Sequence, residues 1–227
     1  MKKIKAVFFD RDNTLTYKNP KAYENFFKTV ESISGKSFEL DNKKMFATFD
    51  QIKAKGYNTN TLENEIEFYK QYYKQIIQNE CGENSKQTER VAKQIFEDMW
   101  LKDKCLFSDV IPTFKELKKQ GIKIGIISDT TLSLQKSLEA LGVGDYIDCY
   151  TSSKEVGVMK PDPKIYLSAI KKLDLSPEEC IYVDDYIDEV VGAEKLGFYA
   201  LRINREECTL PCDISSLAQV LLHLDNN

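Results

Sequence analysis

Four short apolar runs constrain this chain more than any other feature. Residues 4–9, 122–128, 180–183 and 198–203 are strand-like in length and richly apolar, the pattern of strands buried within a sheet. The first run ends abruptly at Asp10, and a weaker run sits near 147–151. Helical patterns separate the later runs. Pro112 and Pro163 suit first-turn positions, with Asp162 as a candidate N-cap. Gly121, Gly142 and Gly197 stand where helices should stop. Strands alternating with helices in this way call for right-handed crossovers and a parallel sheet, so the expected class is α/β. Leu217, Val220, Leu221 and Leu224 share one helical face and predict a last helix over 215–224.

Residues 16–104 break that rhythm and hold no convincing strand. Tyr23, Phe26, Phe27, Val30 and Ile33 mark one amphipathic helix. Leu62, Ile66, Tyr69, Tyr73, Ile76 and Ile77 mark a longer one, and Val91, Ile95, Phe96, Met99 and Trp100 a third. A fourth is expected around 43–53. The reading is therefore an all-helical insertion over 16–104, carried by an α/β core built from 1–15 and 105–227. At roughly 150 residues per domain, 227 residues suit one large domain or one domain with an insertion.

Composition removes several classes of function. A hydrophobic fraction of 42%, with 10 Gly and 6 Pro, excludes collagen-like and largely disordered chains. Lys and Arg number 32 against 36 Asp and Glu, a net charge of −4 that makes nucleic acid and anionic membranes poor partners. No stretch approaches the ~18 apolar residues of a membrane span. The basic start is followed only by Ala6–Phe9 before Asp10, so no secretion signal is expected and the expected location is cytoplasmic. The six cysteines then read as reduced thiols. Cys208 and Cys212 are a close pair, but no second pair or nearby His completes a zinc site. His223, the only histidine, lies far from every motif and is given no catalytic role.

Four segments carry the chemistry. Phe9-Asp10-Arg11-Asp12-Asn13-Thr14 places two carboxylates two residues apart just beyond a strand. One can serve as nucleophile and the other as general acid/base; the plain alternative is a turn. Ile127-Ser128-Asp129-Thr130 puts a hydroxyl beyond a second strand, where it can bind a phosphate oxygen or merely cap a helix. Lys160-Pro161-Asp162-Pro163 holds a lysine just before a proline-started helix, where its charge can offset a phosphate or a nearby carboxylate. Tyr182-Val183-Asp184-Asp185 ends an apolar strand in two carboxylates that repel each other unless a cation sits among them. Asp188 and Glu189 follow, and a favourable helix dipole alone would explain them. Oxygen-only ligands suit Mg²⁺. Three of the segments fall at the C-terminal ends of predicted strands, the edge where open α/β sheets bind ligands.

Taken in this order, the motifs resemble the haloacid dehalogenase (HAD) superfamily of phosphohydrolases. The resemblance spans the whole chain, and the helical insertion just after the first motif looks like that superfamily's type 1 cap. It implies a Rossmann-like core whose central parallel sheet is flanked by helices, with the Asp10 strand between the Ser128 and Asp185 strands. It further implies Asp10 as nucleophile and Asp12 as general acid/base, with Ser128 and Lys160 binding phosphate. Asp10, the Asp12 carbonyl and Asp185 would bind Mg²⁺, with Asp184 behind them. The expected reaction is Mg²⁺-dependent hydrolysis of a small phosphorylated metabolite by a monomer or homodimer, through an aspartyl-phosphate.

Departures from the family pattern are few. Arg11 stands where an apolar residue or Gly is more frequent, although relatives resembling sugar-phosphate and histidinol-phosphate phosphatases carry Asp-Arg-Asp. Asn13 replaces a frequent Gly, and Asp129 a common Asn, adding negative charge near the phosphate. A dehalogenase needs neither Asp12 nor a metal, which favours phosphorus chemistry. A mutase of the β-phosphoglucomutase type shares the whole set and stays open, as does a non-catalytic phosphate-binding module.

Overall fold

The computed structural model describes residues 3–82, 86–206 and 208–224. The chain forms two compact units, Met1–Tyr17 with Leu106–Asn227, and Lys18–Cys105.

The first unit is built on six parallel strands. They are β1 (Ala6–Phe9), β4 (Lys123–Ser128), β5 (Cys149–Ser152), β6 (Cys180–Asp184), β7 (Tyr199–Ile203) and β8 (Asp213–Ile214). Their spatial order is β5-β4-β1-β6-β7-β8, the expected α/β class with the Asp10 strand at the centre. Every residue of β1 is buried, as a strand covered on both faces requires. Alternate side chains divide between two cores. Val7, Phe9, Ile124, Ile126, Ile181 and Val183 pack with α5 (Val110–Lys119) and α6 (Leu134–Ala140). Ala6, Phe8, Ile127, Cys180 and Tyr182 pack with α8 (Pro163–Leu173) and α9 (Ile187–Glu194). A short helix, α7 (Ser153–Val156), follows β5.

Register sets the height of the functional loops. Phe9 lies beside Ile126 on β4 and Val183 on β6. Asp10 continues β1 by donating its N–H to the Val183 carbonyl at 2.9 Å. Asp10 and Asp184 thus emerge level at the C-terminal edge. By strand alternation both belong to the Phe8–Tyr182 face, beneath which α8 packs.

The second unit holds α1 (Pro20–Ser34), α2 (Asn42–Ala54), α3 (Leu62–Cys81) and α4 (Lys86–Met99). Asn19, Asp41 and Thr61 each accept a backbone N–H at the start of a helix, satisfying donors that have no partner within the helix. Phe26, Val30, Tyr72, Tyr73, Ile76, Ile77, Ile95 and Met99 form its core.

Three local expectations are corrected. Strands β2 (Thr16–Lys18) and β3 (Lys104–Leu106) lie at the ends of the segment read as strand-free. They are three residues each, too short to show a period. The last helix is a 3₁₀ helix over Leu217–His223 rather than α. Leu217 and Val220, three apart, are buried while Leu222 is 70% exposed, which suits three residues per turn. Helix α6 begins at Leu134, so Ser128 caps no helix. Among the described residues, no helix is long and apolar enough to cross a membrane.

Candidate active site

Asp10 is 6% exposed, and the Lys160 side chain is buried with it. Lys160 Nζ donates to Asp10 Oδ1 and to Asp184 Oδ2, each at 2.7 Å. Glu189 Oε2 lies 2.5 Å from the same nitrogen. A buried ammonium needs such partners, since removing it from water costs several kcal/mol. Burial works against its charged form, yet Asp10, Asp184 and Glu189 hold its pKa well above the usual lysine range.

Residues around this cluster fix it in place. Tyr182 donates its hydroxyl to Asp184 Oδ2, and Tyr186 its backbone N–H to Asp184 Oδ1 at 2.9 Å. The Tyr166 hydroxyl donates to the Glu189 carbonyl at 2.9 Å. A Cβ on Gly192 would lie 2.7 Å from Pro161 Cβ, closer than carbon atoms pack. Only glycine lets α9 lie against the cis Lys160–Pro161 peptide.

Two readings of individual acids change. Glu189 faces Lys160, so the helix dipole does not account for it alone. Asp129 turns both carboxylate oxygens to the Lys160 backbone N–H, at 3.1 and 3.2 Å. It anchors the lysine-bearing segment, and burial raises its pKa.

The first loop folds back sharply. Asn13 has φ 59°, a left-handed conformation that Asn tolerates better than most residues. Leu15 and Thr16 both donate backbone N–H groups to the Arg11 carbonyl at 2.9 Å. Asn13 Nδ2 then reaches Asp185 Oδ2 at 3.3 Å, tying the first loop to the end of β6. Asp12 pairs with Arg11, whose Nε and Nη2 each donate to a separate oxygen at 3.0 Å. Thr16 Oγ1 donates to Asp12 Oδ1 at 3.2 Å.

Of the five residues read from the sequence, Asp10 and Lys160 are in direct contact. Asp185 joins through Asn13. Asp12 is tied through Arg11 to Thr130, two residues past Ser128. Ser128 closes β4, 2% exposed, on the same edge. Sequence reasoning passed over Tyr182, Gly192 and Thr130. Strand alternation could have found Tyr182, two residues before Asp184.

Negative charge exceeds positive charge here. Burial, reinforced by Asp184 and Asp12, raises Asp10 to about 7 against the pull of Lys160. Burial raises Glu189 to about 8, and it raises Asp185 as well. Asp10, Asp184 and Glu189 offer oxygens within 4.8 Å of one another, but Lys160 occupies their midst. Oxygen-only donors of this kind are those that hard divalent cations take. Cys208 and Cys212 join no metal-binding group among the described residues.

This imbalance has a measurable consequence. Asp10 and Glu189 have folded-state pKa values above their ordinary ones. The stability this confers is complete below about pH 4 and is lost as pH rises through about 7 and 8. The melting temperature of metal-free protein should fall from pH 5 to pH 8. A divalent cation should raise it most at pH 8. A flat metal-free profile, measured by scanning calorimetry, contradicts this.

The chain is 27% identical over 206 residues to a glyceraldehyde 3-phosphate phosphatase of Methanopyrus kandleri, spanning 89% of this chain and 84% of that one. It is 25% identical over 205 residues to a ribulose-1,5-bisphosphate 5-phosphatase of Halopiger xanaduensis, spanning 89% and 85% of the two chains. A HAD phosphatase structure from Thermococcus onnurineus superposes with a TM-score of 0.65 over 98% of both chains at 23% identity, a likeness of fold. The family model of haloacid dehalogenase-like hydrolases matches residues 4–197. The chain belongs to that family, the haloacid dehalogenase-like hydrolases.

Proposed function

We propose that this chain is a Mg²⁺-dependent phosphatase of small organic phosphate monoesters, working through a phosphorylated Asp10. One observation carries the reading: Asp10 lies buried at the centre of the sheet edge, fixed by the Lys160 ammonium at 2.7 Å, with a second carboxylate two residues on. Both relatives named above are sugar-phosphate phosphatases, which supports a phosphorylated polyol or sugar as the substrate class.

In the first half-reaction an Asp10 oxygen attacks phosphorus in line. The ester P–O bond breaks, and Asp12 gives its proton to the departing alkoxide. In the second half water attacks the same phosphorus, Asp12 takes a proton from that water, and the bond to Asp10 breaks. Inorganic phosphate leaves and Asp10 is restored. Covalent catalysis divides one difficult displacement into two. Ser128 and Lys160 would hold phosphoryl oxygens, with Lys160 also keeping Asp10 in line. A Mg²⁺ ion held by Asp10, Asp185 and the Asp12 carbonyl would neutralise the charge of nucleophile and phosphate together.

The test is inorganic phosphate release from a panel of sugar, polyol and nucleoside monophosphates, with Mg²⁺ and with EDTA. The expected result is turnover of at least one phosphate, abolished by EDTA and restored by excess Mg²⁺. Full activity in EDTA sinks the metal assignment. Conversion of a sugar phosphate to its isomer without net phosphate release would identify a mutase instead.

A further inference from the structure

We propose that Arg11 is a positioning residue for Asp12, a bracket that holds the acid/base carboxylate in one rotamer and fastens it to the loop that follows Ser128. The proposal rests on the phosphatase reading for its catalytic consequence, and on geometry for the bracket itself.

Side chains of adjacent residues do not ordinarily grip one another, so a two-point pair between positions 11 and 12 needs a special backbone. Here the loop supplies one. Asn13 takes its left-handed conformation, and Leu15 and Thr16 both donate to the Arg11 carbonyl. The backbone winds around Arg11 and brings Asp12 alongside the guanidinium. Arg11 Nε and Nη2 then each donate to a different Asp12 oxygen at 3.0 Å. This parallel fork fixes the plane of the carboxylate as well as its position.

The guanidinium is itself anchored elsewhere. Nη2 also donates to Thr130 Oγ1 at 3.2 Å, and Nη1 to Ser137 Oγ on α6 at 3.4 Å. Those partners are 119 and 126 positions away in sequence. Arg11 is 12% exposed in its side chain, whereas Asp12 is 41% exposed. Thr16 Oγ1 also donates to Asp12 Oδ1, at 3.2 Å, but one bond to a single oxygen leaves the plane of so open a carboxylate free to turn. An exposed pair contributes little, but a fork braced on two distant elements imposes a single geometry. Proton transfer falls steeply with misplacement, so the bracket should matter where Asp12 must deliver a proton.

That requirement defines the experiment. Departure of an alkoxide needs the proton of Asp12, whereas departure of p-nitrophenolate does not. The quantity kcat/KM covers only steps through the first irreversible one, here loss of the leaving group. Arg11→Ala should lower kcat/KM for glycerol phosphate about 30- to 100-fold, a fraction of what acid catalysis supplies. For p-nitrophenyl phosphate the fall should stay within about threefold. Arg11→Lys, which keeps the charge and loses the fork, should recover less than about a third of the alkyl rate. Added guanidinium ion should restore Arg11→Ala on the alkyl substrate at least about fivefold, and leave Asp12→Asn unrestored. Equal losses on both substrates, full recovery by lysine, or no guanidinium rescue would overturn the proposal.

A crystal structure of Arg11→Ala decides the bracket without turnover. Asp12 in several rotamers supports the proposal, and Asp12 unmoved overturns it. If the wild-type protein releases no phosphate from any ester, the phosphatase reading fails while this structural outcome still stands.

Discussion

Replacing Asp10 with asparagine should reduce phosphate release by at least about 10³-fold and raise the melting temperature of the metal-free protein at pH 8. The two effects share one cause. Asp10 is a carboxylate in a buried place, pushed up to about 7 first by burial and then by Asp184 and Asp12, with Lys160 pulling the other way. At pH 8 the folded protein holds an ion that water would hold more cheaply. An amide of the same shape relieves that cost and keeps an oxygen for Lys160, but it cannot form the acyl phosphate. Strain of this kind at a nucleophile is the familiar exchange of stability for reactivity. Phosphate release and calorimetry on the same preparation test both halves. Activity within tenfold of wild type would remove Asp10 from the nucleophile role. A lower melting temperature would mean that Lys160 outweighs burial.

What the sequence made legible was whatever is written locally. The apolar runs ending at Phe9, Ser128 and Val183 announce buried strands, and the order of motifs announces which strand ends meet. The parallel sheet follows from those runs, whereas the central place of the Asp10 strand comes from the resemblance of the motifs to a known family. Strand β8, two residues long and paired at Arg202↔Asp213 and Ile203↔Ile214, is too short to leave a pattern. The side-chain partners of the site were the harder part, because pairing across the fold has no local signature. Glu189 reads from sequence as a first-turn acid, and only the path of Lys160 beneath β6 shows what it faces. Asp129 reads as charge added beside a phosphate, while its oxygens are spent on a backbone N–H 31 positions away. Arg11 stood out as a departure, but its bracket to Thr130 and Ser137 depends on two elements that the sequence places far apart.

Lys160→Met should be the most destabilising single change at the site. Methionine fills the space of the lysine stem and supplies no charge, so Asp10, Asp184 and Glu189 are left facing one another, the first two buried and the third 16% exposed. Removing one partner of a buried ion cluster costs about 3–5 kcal/mol, because the remaining charges lose their compensation. The cost should depend on pH in a defined direction. Asp10 and Glu189 already bind protons more tightly folded than unfolded, titrating near 7 and 8, and loss of the ammonium strengthens that tendency. At pH 5 the carboxylates take up protons and repulsion falls, so the variant recovers much of the loss; at pH 8 they ionise and the full cost returns. Urea unfolding of metal-free wild type and variant at both values reads the difference directly. Equal loss at pH 5 and pH 8 would show that Lys160 acts through packing and not charge. Lys160→Arg separates stability from catalysis. Its positive charge should restore most of the stability at pH 8. A planar guanidinium in a pocket where the lysine side chain is 1% exposed must displace Asp10, so phosphate release should stay low.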